Sequence, residues 1–139
     1  MKVLVVEDDR DLAAQIATDL AQAGYTVELA HDGEAGEFLG ATETVGAAVL
    51  DLGCGTGLCG KLLQGKADAV DGLDVSRAML EQARRTGAYR ELIHDELESF
   101  LVAAARQDDL VVAADVFGYL GALEGVFRSI RRILLPGGV

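Results

Sequence analysis

The chain has 139 residues, half of them hydrophobic and a quarter charged, which is the balance of an ordinary globular protein with a sizeable core. Its formal net charge of −11 repels phosphate backbones, so no nucleic acid is expected as a partner. No apolar run approaches the roughly 18 residues that cross a bilayer, so no membrane partner is expected and the expected setting is cytoplasmic.

Strand and helix signals alternate along the chain, the pattern of a parallel sheet covered on both faces. Residues 2–6 read as a buried strand, too short and too soon followed by Glu7, Asp8 and Asp9 to be a signal peptide. Asp9 or Asp11 can cap a helix whose apolar positions Leu12, Ile16 and Leu20 recur at helical spacing, and Gly24 ends it. A second strand at 26–30 leads through His31-Asp32-Gly33 into a short helix near 33–41. The third strand, 47–52, runs into a glycine-rich turn and a helix at 57–64.

A fourth strand at 69–73 ends at Asp74, and Ser76 caps a helix over 77–86 that Gly87 stops. A fifth strand at 90–93 precedes a helix over 96–106. The sixth, 110–114, precedes a helix over 123–134. Pro136-Gly137-Gly138 is a turn that should feed a further strand beyond Val139.

Arg128, Arg131 and Arg132 are the best basic cluster, and their place in the last turns of a helix suits the dipole better than it suits a nucleic acid. Cys54 and Cys59 are too few for a disulfide framework and lack the companions of a zinc site. His94 reads as a strand-end histidine rather than a catalytic base.

The strongest chemical signal is Val49-Leu50-Asp51-Leu52-Gly53-Cys54-Gly55-Thr56-Gly57. A buried strand delivers the backbone to a turn whose glycines remove Cβ atoms where a ligand would approach. Asp74, at the end of the next strand, can accept hydrogen bonds from both hydroxyls of a ribose. Gly55-x-Gly57-x-x-Gly60 also satisfies the dinucleotide fingerprint, so spacing alone does not choose the ligand.

Three stretches, Val49 to Gly57, Gly72-Leu73-Asp74-Val75-Ser76-Arg77-Ala78-Met79-Leu80 and Asp109 to Gly121, resemble the class I S-adenosylmethionine-dependent methyltransferases. The resemblance implies S-adenosylmethionine or S-adenosylhomocysteine as the ligand, a small nucleoside. It implies Asp51, Gly53, Cys54, Gly55 and Gly57 around the methionine moiety, Asp74 on the ribose, and Val75 and Met79 beside the adenine. Glu96, with Leu97 next to it, aligns with the family's acid near the adenine amino group, and Asp95 is the alternative. Asp115 falls at the mouth where the methyl group is transferred. The family's last strands, which complete the sheet and often the acceptor pocket, would lie after Val139.

Residues 1–46 differ in character. Lys2-Val3-Leu4-Val5-Val6-Glu7-Asp8-Asp9, Gly24-Tyr25-Thr26-Val27 and Ala30-His31-Asp32-Gly33 resemble the receiver domains of response regulators, which are flavodoxin-like. That resemblance implies a magnesium site from Glu7, Asp8 and Asp51, with Asp51 as phosphoacceptor. The lysine such a domain carries at the end of its fifth strand is absent here, and magnesium is accordingly not favoured.

Together the two resemblances predict an engineered fold chimera, receiver-like over 1–46 and methyltransferase-like and Rossmann-like over 47–139. It would be one hybrid α/β domain without native catalytic activity, retaining nucleoside binding at most. An active methyltransferase and a magnesium-dependent phosphoacceptor are the alternatives. The expected architecture is a three-layer sandwich with a six-stranded parallel sheet in the order 5-4-3-6-1-2. The competing order is 2-1-3-4-5, with strand 6 displaced. A monomer is favoured, and an open sheet edge would allow a swapped or edge-paired dimer.

Overall fold

In the computed structural model, residues 2–6, 9–30, 46–114, 116–117 and 123–139 are described. The central strand is β3 (Ala48–Leu52), whose last four residues are all buried, as a strand covered on both faces requires. β4 (Ala69–Asp74) lies on one side of it and β6 (Leu110–Ala113) on the other. β5 (Glu91–His94) pairs with the outer side of β4. All four are parallel, in the order β5-β4-β3-β6. The register sets Asp51 between Gly72 on β4 and Val112 on β6.

Side chains alternate across this sheet, so each face builds its own core. Leu50, Leu52 and Leu73 pack against α4 (Leu97–Ala103) and α5 (Leu123–Ile133) through Leu101, Ile130 and Ile133. Val49, Val70 and Leu110 pack against Leu63 of α2 (Leu58–Leu63) on the other face. Each such aliphatic side chain removed from water contributes roughly 2 kcal/mol. Leu80 and Ala83 of α3 (Arg77–Arg85) close over Cys54.

The loops are fixed by named polar groups. The Ser76 hydroxyl accepts from the Met79 amide and starts α3 as expected. Arg132 of α5 donates to the carbonyl oxygens of Leu101, Val102 and Ala104, placing a cation on the open carboxyl end of α4. Arg128 pairs with Glu124 one turn away. The expected basic cluster therefore spends two of its three members on helix contacts.

Arg106 bonds both Asp71 and Asp108, whose carboxylates are buried, and Arg90 bonds Asp71 from outside. This network explains why α4 stops at Ala103 rather than reaching Arg106. The chain must leave helical geometry for Arg106 to reach β4.

β1 (Lys2–Val6) and β2 (Thr26–Ala30) form a parallel pair joined by α1 (Arg10–Gln22). Asp9 is the residue that caps α1, accepting from the Asp11 and Leu12 amides. Tyr25, before β2, lies with its ring 5.8 Å from that of Phe127 of α5, the two planes tilted by 43°.

Among the described residues the strands make one sheet of four and a separate pair, not the expected six-stranded sheet. The receiver-like order also fails, because β3 has β4 and β6 as neighbours and leaves no side for β1. Nor does β1 take the place beside β6 near its start. The Pro136-Gly137 turn brings the chain back so that the Val111 amide donates to the Val139 carbonyl at 2.8 Å, and the Val139 amide to Asp109 at 3.1 Å. The expected helix near 33–41 lies outside the described residues. Among the described residues, no helix is long and apolar enough to cross a membrane.

Candidate functional site

In the four-stranded sheet the connections run one way from β3 to β4 and β5, then return to β6 on the other side. Such a reversal leaves a crevice at the carboxyl ends of the two strands between which it occurs. The turn after β3 fills the floor of that crevice. Gly53, Gly55 and Gly57 all have positive φ, at 66°, 53° and 92°. A Cβ on Gly53 would stand 2.1 Å from Val116, so this glycine is required by packing as well as by conformation. A Cβ on Gly55 would meet almost nothing, which leaves its backbone open to a visitor.

Asp74 holds the turn in place. One carboxylate oxygen accepts the Gly55 amide at 2.9 Å and the other accepts the Ser76 amide at 2.8 Å. The Cys54 amide extends the pairing of β3 with β4 by donating to Leu73.

These elements enclose a cavity of about 700 Å³, within the range of small-molecule sites. Asp51, Gly53, Cys54, Gly55, Asp74 and Val75 line it, joined by Met79, Glu96 and Leu97 from α3 and the turn into α4. With Asp95, the alternative to Glu96, ten of the anticipated residues thus share one cavity. Gly57 is not on its wall. It sits behind it as the residue before α2, where a Cβ would crowd Ala83, Thr86 and Tyr89. Asp115, Glu7 and Asp8 lie outside the described residues. Ser76, Asp95, Ala114 and Val116 line the cavity too, and of these only Asp95 was anticipated.

The charge of the wall is one-sided. Asp51, Asp74, Asp95 and Glu96 are all acidic, and no lysine, arginine or histidine is among the described lining residues. Asp51 is 1% exposed. Burial, opposed by a hydrogen bond from Tyr89 and reinforced by the charge of Asp74, raises its pKa to about 6. Burial, with Asp51 and Asp74 adding to it, pushes the Cys54 thiol up to about 12 and keeps it unreactive. Glu96 caps α4 with both oxygens, accepting from the Ser99 and Glu98 amides, which hold its carboxyl below the usual range. Asp95 accepts the Glu96 amide. His94 Nε2 lies 2.9 Å from the Val75 carbonyl, a strand-end contact of the kind expected.

Sequence reasoning missed Tyr89. Its hydroxyl donates to Asp51 Oδ2 at 2.7 Å and accepts the Gly60 amide at 3.1 Å. A Cβ on Gly60 would approach the Tyr89 ring to 2.4 Å, and one on Gly72 to 2.9 Å. The last glycine of the dinucleotide-like spacing therefore makes room for an aromatic ring, not for a phosphate. The signal was a glycine inside a strand, which marks a close approach by something bulky.

For the metal reading, no group of three His, Cys, Asp or Glu that could hold an ion occurs among the described residues.

Comparison with known proteins places this site in a family. The methyltransferase-domain family model matches residues 50–139. The malonyl-[acyl-carrier protein] O-methyltransferase of Legionella pneumophila is 38% identical over 96 residues, spanning 65% of this chain and 33% of that protein. The chain covers about a third of the length of the first curated relatives it matches. DhpI, solved with S-adenosylhomocysteine, superposes with a TM-score of 0.68 at 28% identity, over 92% of this chain and 59% of its own. A SAM-dependent methyltransferase from Thiobacillus denitrificans, also bound to S-adenosylhomocysteine, gives 0.61 at 26% identity over 76% and 46%.

The engineered-chimera reading is overturned by these matches. A methyltransferase likeness accounts for residues 50–139, and the DhpI superposition covers more of the chain than that segment, reaching into the amino-terminal third. By its family match, this chain is a member of the methyltransferase-domain family.

Proposed function

We propose that this chain binds S-adenosylmethionine in the β3/β6 crevice and acts in methyl transfer, as an active S-adenosylmethionine-dependent methyltransferase. The observation that carries this reading is the sign of the wall: four carboxylates and no base among the described lining residues. A pyrophosphate-bearing dinucleotide would be repelled there, whereas a ligand with a sulfonium and an ammonium is attracted. The cavity volume and the open space above Gly55 fit a nucleoside of that size.

When bound, the cofactor supplies an electrophilic methyl group on sulfur. The chain's residues bind and orient it. Asp51 is the acid for the ammonium group. Asp74 keeps lone pairs for the ribose hydroxyls after accepting two backbone amides. Val75, Met79 and Leu97 offer an apolar slot for the adenine. We assign its amino group to Asp95, which accepts one backbone amide where Glu96 accepts two.

The test is calorimetric titration with S-adenosylhomocysteine, NAD serving as the control, followed by transfer of a tritiated methyl group to candidate acceptors. Micromolar affinity for the nucleoside and none for NAD is expected. Equal binding of both ligands, or of neither, overturns the reading.

A further inference from the structure

Tyr89 is a half-buried polar side chain beside the crevice that the proposed binding roles leave unused. It stands just before β5, behind the cavity wall rather than on it, and its ring fills the space left by Gly60 and Gly72. α2 begins without a side-chain cap, since the residue before it is Gly57. An amide in the first turn of a helix has no partner within the helix. The Gly60 amide solves this by donating to the Tyr89 hydroxyl, which is thereby left with one proton to give, and it gives it to Asp51 Oδ2.

We infer that Tyr89 is a positioning residue for the cofactor: the relay Gly60 N–H to Tyr89 O–H to Asp51 fixes the Asp51 carboxylate and keeps it charged for a cationic ligand group. The inference rests on the function proposed above. It deepens it by making recognition depend on pH through a residue that does not touch the ligand.

The geometry allows only this sense of donation. A phenol hydroxyl has a single proton, and the Gly60 amide cannot accept. Once Asp51 is protonated, its carboxyl loses its value to an ammonium group. The groups facing Asp51 are few. Asp74 at the end of β4 and Cys54 in the turn both disfavour its charge. Its register partners, Gly72 on β4 and Val112 on β6, are uncharged. Asp115, beyond β6, lies outside the described residues. Tyr89 is the one described group that favours the ionised form, against a burial that raises the pKa to about 6.

The experiment follows carboxyl and phenol carbon shifts by NMR in the ligand-free protein, alongside the pH profile of S-adenosylhomocysteine affinity. In the wild-type protein the Asp51 carboxyl carbon and the Tyr89 Cζ should share one midpoint near 6. Tyr89→Phe keeps the ring and removes the relay. It should move the Asp51 midpoint up by about one pH unit, and the acid limb of the affinity profile with it. Affinity at pH 6 should then fall several-fold while affinity at pH 8.5 changes little.

An Asp51 midpoint unmoved in a folded Tyr89→Phe protein overturns the relay. Should that variant not fold, the wild-type shifts decide, because a Tyr89 Cζ that ignores the Asp51 titration also overturns it. Absence of nucleoside binding at every pH counts against the proposed function, and the ligand-free shifts still judge the relay.

Discussion

The carboxylate of Asp74 accepts the Gly55 amide at 2.9 Å, so the residue that closes β4 also sets the path of the turn that closes β3. The same side chain accepts the Ser76 amide and so orients the start of α3. Asp74→Ala removes two charge-assisted bonds and the proposed ribose acceptor at once. Each such bond is worth about 1.5–3 kcal/mol. We expect S-adenosylhomocysteine affinity to fall at least 30-fold by calorimetry. Asp74→Asn, which keeps one acceptor oxygen, should fall between.

Two glycines of the turn should respond differently to alanine. Gly53→Ala incurs both a positive φ and a collision with Val116, and should cost about 3 kcal/mol in urea unfolding. Adding Val116→Ala should return the part due to collision. Gly55→Ala meets no neighbour, so its stability cost should stay near 1 kcal/mol. Its methyl group would stand in the crevice, and ligand affinity should drop more than tenfold. Equal stability losses at the two positions would contradict this account.

Ionisation of Asp51 opposes folding. Its pKa rises from 3.8 to about 6 on burial, so the native chain holds a proton that the unfolded chain has lost between those values. The penalty is absent below about pH 4 and complete above about pH 7, where it amounts to roughly 2–3 kcal/mol. Asp51→Asn retains an oxygen for the Tyr89 hydroxyl and carries no charge. It should therefore exceed the wild-type protein in urea midpoint at pH 8, and the gap should close on approaching pH 4. A gap that is flat with pH would show that Asp51 ionises freely.

The ion network beneath the sheet predicts an asymmetry. Arg106 is mostly covered and bonds two buried carboxylates, while the Arg90 side chain is 60% exposed and bonds one. Burial opposes the charge on Asp71, but its bonds to Arg90 and Arg106 prevail and hold its pKa below the usual carboxylate value. Arg106→Ala strands the buried Asp108 and leaves Asp71 to Arg90 alone, and should cost about 3–5 kcal/mol. Arg90→Ala leaves Arg106 in place and should cost no more than about 1 kcal/mol. Urea midpoints of the two variants at pH 7 provide the comparison.

Local signals carried the elements well. Ser76, Gly87 and the run from Val49 to Leu52 mark their boundaries because capping, positive φ and double-sided burial are written in residue type. The crevice between β3 and β6 was also legible, since glycines and Asp74 follow strands at fixed distances. What failed was the joining of elements. Periodicity says that residues 2–6 form a strand but not which strand they meet, and the edge of β6 near Val111 is met by Val139. The resemblance of β1 and β2 to a receiver rests on short apolar strands followed by acidic turns, which are common to many parallel sheets. Tyr89 stayed hidden because its role depends on three chain segments meeting in space.

Arg132 makes the carboxyl end of α4 a fixed anchor, while the amino end of the same helix carries Glu96 and Leu97 to the crevice. Seven residues of helix separate the two ends, a rigid rod of roughly 10 Å. Its far end is clamped to the outer helix α5, so the part of the cavity wall that Glu96 and Leu97 form is held partly from the opposite pole of the sheet. A disturbance at a surface arginine remote from the cavity can then be felt as looseness in that wall.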